Sequence, residues 1–141
     1  MSRYPIQTIL VVDDQTPVRK LISHMLNGCG FKTIEADSGV QALSLFHAAH
    51  GTIDLAIIDM AMPQMSGLDV AAELGRQSPE LKILYISGYA ESLAIDCIRR
   101  RSPEALLLKP FTKRSLLDKV VDLLGIQPGD HQIASSATEP T

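Results

Sequence analysis

Five residues of this chain carry side chains suited to metal and phosphoryl chemistry, and all five close an apolar run. Asp13 and Asp14 follow Ile9-Leu10-Val11-Val12, Asp59 follows Leu55-Ala56-Ile57-Ile58, Ser87 follows Ile83-Leu84-Tyr85-Ile86, and Lys109 follows Leu106-Leu107-Leu108. A carboxylate at the end of so apolar a run is costly unless something positive meets it. Three carboxylates converging on one edge carry three negative charges, and at ~4 Å each like pair repels by several kcal/mol at an effective dielectric of ~20. Lys109 and one divalent ion bring that sum to zero. Oxygen ligands with no His or Cys nearby favour a hard cation, Mg²⁺, with Mn²⁺ as the alternative. Beside a metal and a lysine, Asp59 is placed to act as a nucleophile towards a phosphoryl group. The aspartyl-phosphate it forms has oxygens that the metal, Lys109 and the Ser87 hydroxyl can bind.

The elements that must position these residues are legible as alternating short apolar runs and longer amphipathic ones. Strands are expected over Thr8 to Val12, Phe31 to Glu35, Leu55 to Asp59, Lys82 to Ser87 and Ala105 to Leu108. Helices are expected over Pro17 to Asn27, Val40 to His50, Leu68 to Gln77, Ser92 to Arg101 and Lys113 to Leu124, with Ser38 and Thr112 as caps and Gly28, Gly51 and Gly125 as stops. Five βα units with strands this apolar predict an α/β fold, a parallel sheet covered on both faces. In such a sheet the ligand site lies beyond the carboxyl ends of the strands, where four of the five ends carry the residues above. The second strand ends in Glu35-Ala36-Asp37, ordinary turn material.

Composition narrows the function. The 141 residues, 45% hydrophobic and 21% charged, suit one domain over residues 1–125. The stretch 126–141, rich in Pro, Ser and Thr without apolar period, is expected to be a disordered polar tail. The N-terminus has neither a signal-peptide core nor the ~18 apolar residues of a membrane span, so a cytoplasmic protein without membrane contact is expected. Cys29 and Cys97 form no CxxC or Cys/His cluster and are expected to be reduced. A net charge of −3 argues against direct nucleic-acid binding, Arg99-Arg100-Arg101 being the one basic run.

VVDD, IIDMAMPQMSG, ISGYA and LLLKPF, in this order and at these strand ends, closely resemble the receiver domain of two-component response regulators over roughly Thr8 to Leu124. The resemblance implies a flavodoxin-like, doubly wound (βα)5 fold with strand order 2-1-3-4-5. It implies that Asp59 accepts phosphate from a histidine kinase or histidine phosphotransfer protein, with no enzymatic activity beyond transfer to and hydrolysis from its own aspartate. Asp13 and Asp14 would hold Mg²⁺, with Asp59 and the Met60 carbonyl completing the protein ligands. Ser87 would be the switch hydroxyl, Lys109 the phosphoryl-binding cation, and Lys109-Pro110 a cis peptide. The output partner would dock on the face of the fourth helix, fifth strand and fifth helix. With only the polar tail after Leu124, the expectation is a single-domain regulator or the separated receiver of a hybrid kinase, acting as a monomer or weak homodimer.

Three positions depart from the family's pattern. Leu106 stands where an inward-turning aromatic is common, which speaks against a ring-flip switch. Ala61 and Tyr89, two beyond Asp59 and two beyond Ser87, flank the path of the hydrolytic water in the family; Ala61 is where many receivers have a polar side chain, and Tyr89 brings an aromatic ring.

Simpler readings exist for each residue. The acidic pair could cap a helix, Asp59 could open a turn, and Lys109 could be surface; their joint occurrence is what resists this. His47 and His50 lack a thiol or carboxylate companion and fit an exposed helix end, and Met60, Met62 and Met65 fit loop packing. Two rival classes share the topology. A haloacid-dehalogenase-like phosphatase wants a second acid two residues after the nucleophile, where Ala61 stands. A pseudo-receiver, binding partners without phosphorylation, would normally have lost an acid or the lysine.

Overall fold

The computed structural model describes residues 6–63, 65–88 and 93–126. In chain order they form β1 (Thr8–Val12), α1 (Thr16–Asn27), β2 (Lys32–Ala36), α2 (Gly39–Ala48), β3 (Leu55–Asp59), α3 (Gly67–Gln77), β4 (Lys82–Ser87), α4 (Leu93–Arg101), a 3-10 turn (Pro103–Ala105), β5 (Leu106–Leu108) and α5 (Lys113–Leu124). The five strands make one parallel sheet in the order β2-β1-β3-β4-β5, as the resemblance implied. Among the described residues, no helix is long and apolar enough to cross a membrane.

Alternation along the strands sorts the core into two layers. Ile9 and Val11, Leu55 and Ile57, Leu84 and Ile86 face α1 and α5, whose Ile22, Leu26, Leu116 and Val120 recur at helical spacing. Leu10 and Val12, Ala56 and Ile58 face α2 and α3 through Ala42, Phe46, Val70 and Leu74. A smaller cluster joins Ile95 and Ile98 of α4 to Leu106 of β5, with Met60 and Tyr85 packed against it. Every residue of β1 and β3 is buried, whereas the edge strands are only partly covered: Lys32 of β2 and Leu108 of β5 reach solvent.

Local chemistry sets the boundaries. Ser38 and Ser66 cap α2 and α3 by accepting from the Gln41 and Asp69 amides, and Thr112 with Ser115 forms a reciprocal capping box on α5. Gly125 ends α5 at φ 71°, a left-handed position that glycine adopts without strain. Several edges differ from the sequence reading: α1, α2 and α3 each start one residue earlier, at Thr16, Gly39 and Gly67. β2 runs one residue later, because the Phe31 amide donates to Leu26 O at the end of α1. Ala105 belongs to the 3-10 turn, its amide donating to Ser102 O. α2 stops at Ala48, and the left-handed His50, at φ 50°, lies beyond it. Ile126, where the tail was expected to start, packs partly buried against the first core layer; the rest of that stretch, the Ser92 start of the fourth helix and Tyr89 lie outside the described residues.

Candidate functional site

The carboxyl edge of the sheet assembles the site because β1, β3, β4 and β5 are neighbours in that order. Val12 pairs with Ile58, so Asp13 and Asp59 leave the sheet side by side. Asp59 pairs with Ile86, one residue before Ser87, and Ser87 with Leu108, one before Lys109. The Lys109 amide donates to Ser87 O at 2.7 Å, and the Met60 amide to Ile86 O at 2.9 Å, so the ends of β3, β4 and β5 are stitched by backbone bonds. The Lys109–Pro110 peptide is cis, as expected from the resemblance.

Two of the carboxylates are held from their own loops. Asp13, 2% exposed, accepts the Gln15 amide on Oδ1 at 2.8 Å. Asp59, 5% exposed, accepts the Ala61 amide on Oδ1 at 3.2 Å, while its Oδ2 stands 3.9 Å from Lys109 Nζ. The loop after β3 is closed by Gly67, whose amide donates to Met60 O at 3.2 Å. A Cβ on Gly67 would stand 2.5 Å from the Asp59 carbonyl oxygen and 2.8 Å from Met60 Cα, so the start of α3 lies directly against the acceptor's backbone.

Burial is the largest cause pushing both Asp13 and Asp59 above the ordinary carboxylate range; the Asp59 and Asp14 charges add to the rise at Asp13 and the Asp14 charge to that at Asp59, whereas hydrogen bonding with the Asp13 side chain lowers Asp59. The Gln15 amide for Asp13, the Ala61 amide for Asp59, and Lys109 for both also pull downwards. The cluster is thus under-compensated by protein groups. One carboxylate oxygen from each of Asp13, Asp14 and Asp59 lies within 4.8 Å of the others. Asp14, the most exposed of the three, has a buried Oδ1 without a hydrogen-bond partner. An orphaned buried carboxylate oxygen beside two others fits a hard divalent cation.

The structure brings together Asp13, Asp14, Asp59, Ser87 and Lys109. Neither acid caps α1 through its side chain; Gln15 holds that position without a side-chain cap bond. Leu106 is buried, packed with Ile95 and Ile98 of α4, and the Ala61 side chain is exposed. Cys29 and Cys97 are free. Two residues not anticipated from sequence join the site's periphery. Arg19 of α1, with its side chain 11% exposed, donates from its terminal guanidinium nitrogen to Asp13 O at 3.0 Å and from Nε to Glu35 Oε1 at 2.9 Å. Glu35 lies beside it on β2; its desolvation is the largest single effect and raises it, but the Arg19 hydrogen bond and the Lys20 charge together outweigh that and hold it below the usual range. The signal was present as an arginine one and a half turns after the acidic pair, but which strand end it would meet depends on β2 lying beside β1.

A doubly wound α/β domain with three carboxylates and a lysine at the carboxyl edge defines a narrow class. Residues 9–121 match the family model of the response regulator receiver domain, and the chain belongs to that family. Sensor kinase CckA of Brucella abortus is 32% identical over 117 residues, covering 83% of this chain, which spans only 12% of that kinase's length. Chemotaxis protein CheY of Pseudomonas aeruginosa is 32% identical over 115 residues, covering 79% of this chain and 91% of that protein. The crystal structure of response regulator TrrA of Thermotoga maritima in complex with Mg²⁺ and a beryllium fluoride superposes with a TM-score of 0.70 at 31% identity, covering 84% of this chain and 99% of that one. Membership sets aside the dehalogenase-like phosphatase. It makes this chain a signalling receiver of the two-component type.

One prediction arises directly from the geometry. A ligand that binds only the folded state stabilises it in proportion to the logarithm of saturation, about 2.7 kcal/mol at a hundredfold excess over Kd. Mg²⁺ at millimolar concentration will raise the melting temperature of the parent protein, and Asp14→Ala will remove most of that rise. Melting curves in chelator and in Mg²⁺ check this; superimposable parent curves would count against a metal at the cluster.

Proposed function

We propose that the chain takes a phosphoryl group on Asp59 from a histidine kinase or histidine phosphotransfer protein, in a reaction that requires Mg²⁺, and thereby switches a partner-binding surface. The observation that carries this reading is a nearly buried Asp59 clustered with two further carboxylates and 3.9 Å from Lys109. Asp13, Asp14, an Asp59 oxygen and the Met60 carbonyl would hold the ion, which supplies charge neutralisation for the incoming phosphoryl oxygens. Met60 O already accepts the Gly67 amide and has a second lone pair to offer.

In transfer from a phosphohistidine, an Asp59 carboxylate oxygen forms the new P–O bond as the donor's P–N bond breaks. The leaving imidazole keeps the electron pair of that bond. Lys109 and the Ser87 hydroxyl then bind phosphoryl oxygens, and the peptide stitch between residues 87 and 109 couples their movement. With Leu106 an aliphatic residue packed under α4, no ring is there to turn, so the switch passes through the Ser87 loop. The face formed by α4, β5 and α5 is the proposed output surface. A cytoplasmic monomer or weak homodimer that binds neither nucleic acid nor membrane fits the free cysteines and the acidic charge balance.

Intact-mass measurement after acetyl phosphate treatment tests the reading. The parent should gain one phosphoryl mass with Mg²⁺ and none in chelator. No gain under either condition would leave a pseudo-receiver, which binds partners without phosphorylation.

The lifetime of the product is a second expected result. Hydrolysis needs a water held in line behind phosphorus, and the exposed Ala61 side chain has no group to hold one. Self-dephosphorylation will therefore be slow, and Ala61→Asn will speed it severalfold. The check is decay of phosphorylated protein after donor removal; equal decay of parent and variant would show that water positioning at residue 61 is not limiting.

A further inference from the structure

We infer that Arg19 is a positioning residue for the acidic cluster: its guanidinium fixes the peptide joining Asp13 to Asp14, with Glu35 in turn fixing the guanidinium. The inference rests on the reading of that cluster as a divalent-cation site. The Asp13 carbonyl oxygen belongs to the plane that connects the two acids, so a hydrogen bond to it sets ψ of Asp13 and φ of Asp14 together. Those angles decide how the two carboxylates are aimed relative to each other.

Other restraints on this loop leave that plane unguarded. The Asp13 amide donates to Ala36 O at 3.1 Å and the Gln15 amide to Asp13 Oδ1 at 2.8 Å, which holds the residues on either side of the plane. α1 is entered through Gln15 at its N-cap position without a side-chain cap bond, so the usual anchor of a helix entry is missing. Arg19 fills the gap from the first turn of α1, with its own amide bonded to Gln15 O at 2.9 Å. Its rigid fork reaches Asp13 O with one nitrogen and Glu35 Oε1 with another, joining the carboxyl ends of β1 and β2. A side chain 11% exposed has little freedom to leave that arrangement. Groups that orient metal ligands from behind typically change metal affinity by about 10–100-fold when removed.

The charge of Arg19 and its geometry make opposite predictions. A cation beside the cluster repels an incoming divalent ion, so deleting it as a mere charge would tighten binding. Losing the orientation of the Asp13–Asp14 peptide weakens binding. Lysine keeps the charge but presents a single nitrogen in place of the rigid fork, and does not reproduce its two-point geometry.

The test is Mg²⁺ titration by calorimetry of the full chain, as parent, Arg19→Ala, Arg19→Lys and Glu35→Gln, alongside phosphoryl uptake from acetyl phosphate as a function of Mg²⁺ concentration. The expected result is a loss of Mg²⁺ affinity of about tenfold for both Arg19 variants, with a smaller loss for Glu35→Gln. Phosphoryl uptake by all variants should return towards the parent level at saturating Mg²⁺. Arg19 variants that melt lower yet bind Mg²⁺ as tightly as the parent, or more tightly, would overturn the inference and leave Arg19 as a structural brace. The Glu35→Gln protein keeps an acceptor for Nε and so remains informative if an Arg19 variant fails to fold; undiminished Mg²⁺ affinity in it would then count against the relay. A parent that binds no Mg²⁺ would overturn the metal reading itself, and this inference with it.

Discussion

Asp59→Asn will take up no phosphoryl group from acetyl phosphate in Mg²⁺, while the folded protein becomes more stable than the parent in chelator. The first half follows from chemistry: an amide oxygen has neither the charge nor the basicity of the carboxylate that must form the P–O bond. The second follows from the charge balance at the sheet edge. Asp59 faces two carboxylates and a single lysine, and burial adds to the cost of keeping it ionised. Removing one negative charge relieves about one uncompensated like-charge contact, worth about 1 kcal/mol or more after solvent screening of the exposed partners. That corresponds to a rise of about 3–6 °C in melting temperature. The gain should shrink in Mg²⁺, because the ion relieves the same repulsion in the parent. Intact-mass spectra and melting curves with and without the metal report both halves. Uptake equal to the parent's would place the acceptor on another residue.

The strand-end residues were legible because each is covalently next to an apolar run, and a parallel sheet leaves its carboxyl ends on one edge. Nothing beyond the order of strands was needed to bring Asp13, Asp59, Ser87 and Lys109 together. Helix caps were equally local: Ser38 and Thr112 satisfy amides three residues away. The positions missed are those whose partners lie on other elements. Glu35 read as turn material until β2 lay beside β1 and α1 placed Arg19 over both. The shift of β2 by one residue had the same origin, a bond from Phe31 back to α1. Leu106 was legible as a departure from the family pattern, but its burial against Ile95 and Ile98 depends on α4 folding down over β5.

Gly67 is the residue where the fold and the site depend on each other most directly, and Gly67→Ala is expected to damage both. As the first residue of α3 it donates its amide to Met60 O, and its α-carbon lies so close to β3 that a methyl group would sit 2.5 Å from Asp59 O and 2.8 Å from Met60 Cα. Both obstacles are backbone, which cannot swing aside as a side chain would. At Gly39 an added Cβ would also be crowded, 2.7 Å from Val70 Cγ2 and 2.8 Å from Met65 Sδ, but against side chains of the packed layer and not against the acceptor's backbone. Relief at Gly67 requires α3 to back away from β3, loosening Val70 and Leu74 against Ile58, or the Asp59–Met60 peptide to rotate. Forcing a group into a packed interface costs about 1–3 kcal/mol, and the upper end fits a clash with backbone on two sides. A fall of about 10 °C in melting temperature is the expected reading for a domain of this size. The rotation of residues 59 and 60 also moves the acceptor carboxylate and the Met60 carbonyl together, so Mg²⁺ should stabilise the variant less than it does the parent. Gly39→Ala serves as the control for the site: it crowds the α2–α3 packing and lowers stability too, but keeps the Mg²⁺ response. If Gly67→Ala melts with the parent and responds equally to Mg²⁺, the close approach of α3 to the acceptor loop is not what holds that loop in place.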